Sequence, residues 1–150
     1  YPDHFVTNNL IETIPNEAEI LPDFASRINQ NFSKVFSELK NPKIFMVLGM
    51  GADGHTAGIF PLPLDQFNDT YKEDVMYASL QLDSLTRPHR ASFTPSWILS
   101  NVSYIFAYAA GESKRAVLES LKNESKPIHE RPAEIFKIHS KVALYTDQEL

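Results

Sequence analysis

No cysteine occurs among the 150 residues, which excludes a disulfide framework, a thiolate nucleophile and a cysteine-ligated zinc cluster. The same absence favours a reducing compartment. Positive charge is also scarce: 14 Lys plus Arg face 19 Asp plus Glu, a formal net charge of -5. With no excess positive field to neutralise phosphodiester backbones or anionic lipid, neither nucleic acid nor a membrane surface is an expected partner. Long apolar runs are missing too. The longest, residues 44–48 and 104–110, fall well short of the roughly 20 residues that span a bilayer. No basic-then-apolar leader and no initiator Met precede Tyr1-Pro2-Asp3, so no signal peptide is expected and the chain reads as a processed form or a fragment.

What is present supports one core. An apolar share of 43% over 150 residues suits a single packed domain, residues 1–150, and is too little chain for two. Residues 1–20 show little periodicity and read as a loop, with one helical turn around Leu10-Ile11. From Pro22 onward, Phe24, Ile28, Phe32, Val35, Phe36 and Leu39 recur at three- and four-residue spacing, which predicts an amphipathic helix. Pro22 and Asp23 suit its first turn, and Asn41-Pro42 stops it. Residues 44–48 are wholly apolar and partly β-branched, the pattern of a strand buried on both faces. A helix followed by such a strand points to a parallel α/β sheet.

Residues 75–82 and 89–93 read as further extended segments. Thr94-Pro95 is a good N-cap followed by proline at the first helical position, and predicts a short helix through Trp97, Ile98 and Leu99. Residues 104–110 form the strongest strand after the first, broken by Gly111, after which residues 113–121 resume helical spacing. Trp97, Phe93, Phe106 and Tyr104 lie at core spacing and are expected to pack. The stretch 126–141 is polar with two prolines, so His129 and His139 are expected at the surface, and residues 142–145 close the chain as a last strand. No internal repeat or low-complexity tract is visible.

Chemistry concentrates in residues 49–58, Gly-Met-Gly-Ala-Asp-Gly-His-Thr-Ala-Gly, directly after the first strand. Loops at the C-terminal ends of parallel strands, where they meet helix N-termini, are where open α/β sheets bind ligands. Three glycines within six residues let the backbone approach a ligand and turn amide N–H groups toward an anion or a developing oxyanion. His55 follows the last of these glycines, and an imidazole is a side chain suited to general-base work, so it is a candidate general base. Asp53, two residues away, is placed either to orient the imidazole or to cap the turn. A metal site on Asp53 and His55 is set aside, because a hydrolytic zinc normally takes three protein ligands.

Residues 48–61, Leu-Gly-Met-Gly-Ala-Asp-Gly-His-Thr-Ala-Gly-Ile-Phe-Pro, resemble the 6-phosphogluconolactonase signature L-G-M-G-P-D-G-H-T-A-S-L-F-P at eleven of fourteen positions. Arg90-Ala91-Ser92-Phe93-Thr94-Pro95 resembles the family's R-I-T-L-T-x-P segment, and Gly111-Glu112-Ser113-Lys114-Arg115-Ala116 its G-x-x-K-x-x segment. Arg131-Pro132-Ala133 and residues 142–147 are similar to its last loop and strand. Ala52 stands where proline is usual and Gly58 where serine is usual, a loss of a hydroxyl that should loosen the loop.

The resemblance implies a Rossmann-like α/β fold, a mostly parallel sheet flanked by helices, of which this chain supplies the C-terminal part. It also implies hydrolysis of 6-phospho-D-glucono-1,5-lactone in the oxidative pentose phosphate pathway, in the cytoplasm, with no metal or organic cofactor. His55 and Asp53 are then the catalytic candidates, and Gly49, Gly51, Gly54, Thr56, Arg90 and Lys114 the substrate contacts. The family's phosphate loop lies in an N-terminal portion not found in this sequence, so a half-built phosphate site and self-association through an unpaired sheet edge are expected. A second reading is glucosamine-6-phosphate deaminase/isomerase, whose loop continues to a glutamate where this chain has Phe60. A third is a non-catalytic sugar-phosphate-binding domain.

Overall fold

A computed structural model describes residues 11–150. The expected first helix is α1, Leu21–Glu38, with proline in its first turn and Phe24, Ala25 and Ile28 buried. The helical turn expected around Leu10-Ile11 lies at the edge of the described residues, and residues 11–20 contain no helix. The elements that follow are β1 (Phe45–Gly49), α2 (Leu64–Thr70), β2 (Tyr77–Gln81) and β3 (His89–Phe93). Then come α3 (Pro95–Asn101), β4 (Tyr104–Tyr108), a 3-10 turn (Glu112–Lys114) and α4 (Arg115–Asn123). A second 3-10 turn (Pro132–Glu134), the single-turn α5 (Ile135–Ile138) and β5 (Val142–Tyr145) complete the chain.

The architecture is α/β. β1, β4 and β5 form a parallel sheet in the order β1-β4-β5, and β2 and β3 form a separate antiparallel pair. In the parallel sheet Gly49 stands opposite Tyr108, and Tyr108 opposite Tyr145. The segments after β1, β4 and β5 therefore leave the sheet side by side at one end. The antiparallel pair is fastened to α1 by Asn29, whose amide donates to Tyr77 O (2.6 Å) and accepts from Tyr77 N–H (2.9 Å). Beside it Phe32 meets Phe93 edge to face (ring centroids 4.8 Å apart) and Phe93 stacks on Trp97 (4.4 Å). The Thr94-Pro95 cap is made as expected: Thr94 Oγ1 accepts from Trp97 N–H (3.3 Å) and donates to Val75 O (2.6 Å).

Two expectations are corrected. β1 is not buried on both faces: Leu48 is buried, but Phe45 and Val47 are 64% and 80% exposed. Across the parallel register the same face carries Phe106, Tyr108 and Tyr145, all exposed, so Phe106 is not core packing. Both alternating sets of β1 are apolar, so its sequence cannot tell a one-sided strand from a two-sided one. β1 is also a sheet edge among the described residues. The other face is the core, where Leu48, Ile105 and Ala107 meet Ile59, Ile98, Leu118 and Ile135.

The second correction is the stretch 126–141, which is not a polar surface tail. Arg131, Pro132, Ala133, Glu134 and Ile135 are all buried, and so is His139. His139 Nε2–H donates to Val102 O (2.9 Å), and its Nδ1 accepts from Lys141 N–H (3.2 Å). The ring thus ties the end of α3 to the start of β5. We expect His139→Ala to lower the unfolding free energy by about 2–4 kcal/mol, because the buried Val102 carbonyl and the part-buried Lys141 N–H lose their partner and the ring leaves a void. Urea denaturation with a shifted midpoint and an unchanged slope would register this loss.

Candidate active site

The loop leaving β1 is closed by its own hydrogen bonds. Gly51 N–H donates to His55 O (2.8 Å), Gly54 N–H to Gly51 O (3.1 Å), and Thr56 and Ile59 exchange a backbone pair (3.2 and 2.9 Å). Two tight turns result, with Gly54 at φ 82° and Ala57 at φ 51°. The chain then runs without a helix to α2, so the helix N-terminus expected directly after this loop is not there. The bonding also narrows the choice of oxyanion donors. The Gly51 and Gly54 amides are already engaged, whereas Ala52 N–H makes no backbone hydrogen bond among the described residues.

Asp53 both caps the turn and meets the imidazole. Its Oδ1 accepts from the His55 backbone N–H (3.1 Å) and lies 2.6 Å from His55 Nδ1. Partial burial pushes the Asp53 pKa up, but the bonds from the His55 amide and ring outweigh it and hold the carboxyl below its ordinary range. Because the shift is downward, the interaction is in force above the ordinary carboxylate pKa of about 4 and is lost as pH falls through the depressed value. An ionised Asp53 can only accept, so Nδ1 is the donor in this contact, and in a neutral imidazole that arrangement puts the lone pair on Nε2. Nε2 makes no hydrogen bond among the described residues, and the His55 side chain is 33% exposed. The ring is also held from its face by Phe60, stacked at 4.4 Å and 20°.

Gly51 makes this pairing possible, since a Cβ there would overlap His55 Nδ1, His55 Cε1 and Asp53 Oδ1. Gly58 has a comparable role toward β3: a Cβ would come within 2.9 Å of Ala91 O and 3.0 Å of Ser92 Cβ. The glycine in place of serine therefore permits a close contact rather than loosening the loop. Gly49 ends β1, and its carbonyl accepts the Thr56 hydroxyl (2.7 Å). Thr56 is wholly buried, so its side chain holds the loop closed and is out of reach of a ligand, contrary to its expected place among the substrate contacts.

Arg90 lies within β3, not at a junction of strand and helix. Its guanidinium sits 5.5 Å from the Phe60 ring centroid and donates to His89 O (2.9 Å). Phe60 thus links it to the His55 imidazole. Lys114 ends the 3-10 turn after β4, at the same end of the sheet as the His55 loop. That turn is fixed by Asp147, whose carboxylate accepts Gly111 N–H (2.9 and 3.1 Å). Neighbouring Arg115 is paired with Glu112 (2.9 Å), whereas the Lys114 ammonium has no ion-pair partner among the described residues.

Sequence reasoning missed what lies beneath the loop. Gly54 O accepts from Ala133 N–H (2.9 Å), and the Gly54 α-carbon faces the Arg131 stem so closely that a Cβ would lie 2.8 Å from Arg131 Cγ. Arg131 and Glu134 form a buried ion pair three residues apart. The resemblance of Arg131-Pro132-Ala133 to the family's last loop marked the segment, and the i,i+3 spacing of opposite charges beside the Pro132 turn was the signal for the pair itself.

A family model described as glucosamine-6-phosphate isomerases/6-phosphogluconolactonase matches residues 3–145. A 6-phosphogluconolactonase of Helicobacter pylori is 32% identical over 152 residues, covering 93% of this chain and 57% of that protein. A 6-phosphogluconolactonase structure from Trypanosoma brucei superposes with a TM-score of 0.65 at 20% identity, over 89% of this chain and 55% of that one. A monomeric glucosamine-6-phosphate deaminase does so equally, with a TM-score of 0.65 at 20% identity over 91% and 56%. The fold is thus common to both enzymes and does not choose between them. The chain spans about half the length of the relatives it matches.

We expect Gly51→Ala to separate the imidazole from the carboxylate and to cost about 1–3 kcal/mol of stability, the usual penalty for an extra methyl in a filled space. In proton NMR the strongly deshielded Nδ1–H signal of His55 should disappear while the rest of the spectrum stays dispersed.

Proposed function

The chain belongs to the glucosamine-6-phosphate isomerase/6-phosphogluconolactonase family, and within it we propose hydrolysis of 6-phospho-D-glucono-1,5-lactone to 6-phosphogluconate, with His55 as general base. The observation that carries this reading is the 2.6 Å Asp53–His55 contact, which leaves a basic, accessible Nε2. Nε2 takes a proton from water as the water oxygen bonds to the C1 carbonyl carbon. Ala52 N–H, which has no backbone partner among the described residues, is one loop donor available to the resulting oxyanion. When the tetrahedral intermediate collapses, the C1–ring oxygen bond breaks and the imidazolium returns its proton to the ring oxygen. Asp53 stabilises the transient imidazolium by its charge.

Phe60 supports the lactonase over the deaminase. An isomerising deaminase moves protons between carbons and draws on an additional carboxylate. Here the corresponding position holds an apolar ring packed against His55. Arg90 and Lys114 are the phosphate contacts in this reading. The guanidinium offers a planar fork beside Phe60, and the Lys114 ammonium, without an ion-pair partner among the described residues, a point charge at the sheet end. Together they would fix the orientation of the sugar ring relative to Nε2.

Lactone hydrolysis, corrected for the spontaneous reaction, tests the proposal. His55→Ala should keep the fold and lower kcat by about 10²-fold or more, since the base is lost while binding groups remain. Unchanged turnover would remove His55 from its role, and ammonia release from glucosamine 6-phosphate at a comparable rate would reverse the choice of reaction. Arg90→Ala and Lys114→Ala should each weaken 6-phosphogluconate binding by about 1.5–3 kcal/mol, the scale of a charge-assisted hydrogen bond. Wild-type affinity by calorimetry in both variants would return them to the solvated surface.

A further inference from the structure

We infer that Arg131 and Glu134 are positioning residues for His55, acting through Gly54 as a buried ionic clamp beneath the loop. The inference rests on the general-base reading of His55, and its structural half is measurable without that reading. Arg131 and Glu134 are 3% and 2% exposed. Taking two charges out of water costs more than their attraction usually returns unless every donor and acceptor is matched, so such a pair is weak evidence for stability. It calls for another account.

Here the matching is close to complete. Arg131 Nε donates to Glu134 Oε1 (2.7 Å), and Nη2 donates both to that oxygen and to Glu124 O (2.8 Å). Nη1 donates to Ser120 Oγ. Glu134 Oε1 also accepts Lys126 N–H (3.1 Å), and Lys137 Nζ lies 3.7 Å from Oε2. The guanidinium fork therefore spans from the end of α4 to the Pro132–Glu134 turn and admits one arrangement of the Arg131 stem. That stem packs on the Cα of Gly54, and Ala133 N–H in the same turn holds Gly54 O.

Gly54 is joined directly to His55, and its left-handed φ of 82° makes it the point where the loop reverses. Fixing Gly54 on both its carbonyl and its α-carbon leaves the following residue little freedom. An apolar pair would fill the space but let the stem and turn choose among rotamers. The Nε2 position and the Nδ1–Asp53 bond would then be averaged over several loop conformations. Since a misplacement of about 1 Å can cost about 10²-fold in rate, this freedom would be felt in kcat before it is felt in the fold.

The test is the double variant Arg131→Met/Glu134→Leu in the otherwise intact protein, which removes both charges and retains the volume. We expect a thermal midpoint close to the parent. The His55 Nδ1–H resonance should be broadened or moved upfield, and the imidazole nitrogen shifts should approach those of a free tautomer mixture. In the lactone assay kcat should fall about ten-fold or more with KM nearly unchanged. A folded double variant with the parent's His55 resonances and kcat overturns the inference. Should the double variant not fold, Arg131→Lys decides, since it keeps the charge pair but drops the fork to Glu124 O and Ser120. It is expected to move the His55 resonances in the same direction, and parent-like resonances overturn the inference. If His55→Ala retains turnover, the general-base reading fails, and the resonances still report whether the clamp orders the ring.

Discussion

β4 bonds along both of its edges, to β1 on one side and to β5 on the other, and both pairings are parallel. Parallel pairing aligns the C-terminal ends of all three strands, so segments distant in sequence must emerge together. The His55 loop, the Lys114 turn and Asp147 meet at one end of the sheet for this reason. The core side of β4, Ile105 and Ala107, is wholly buried. A shift of one residue there would turn the buried set outward and pull the three exits out of line.

Within that frame the loop works by close approach rather than by rigidity of its own sequence. Gly51 accommodates the imidazole, Gly54 the Arg131 stem and Gly58 the β3 backbone. Each missing side chain admits a neighbour that restricts the chain in its place. The conformational freedom glycine brings is thus removed by contacts from β3, from the Pro132–Glu134 turn and from His55 itself. The exposed half of the arrangement, Asp53 and the His55 edge, sits on a buried half made of Thr56, Ile59 and the Arg131–Glu134 pair.

The open face of the sheet contrasts with this tight packing. Phe45, Val47, Phe106, Tyr108 and Tyr145 form an apolar surface beside β1, the edge strand among the described residues. It lies on the opposite side of the sheet from the core that supports the loop, so site geometry and surface exposure are separable properties of this molecule.

Local patterns made much of the fold readable. The apolar spacing of α1, the Thr94-Pro95 cap and the apolar run of β4 each depend on neighbours a few residues away, and the structure forms them where they were expected. The Gly-rich loop was readable for the same reason, as was the nearness of Asp53 to His55. Partners far apart in sequence were not. Nothing local distinguishes a Val47 that faces solvent from a Leu48 that faces the core, because both are apolar and their burial depends on what is stacked against the sheet. Nothing local shows that the Thr56 hydroxyl turns inward to Gly49, or that His139 bridges Val102 and Lys141. Arg131 and Glu134 look like surface charges until α4 and residues 124–126 supply the acceptors and donors that make their burial tolerable. The sequence by itself determined the elements and the glycine-rich loop, because those are set by short-range sterics and periodicity. Only the tertiary structure decided which side chains of the loop stay exposed and which hold it from beneath, because burial and ion pairing are properties of groups brought together across the chain.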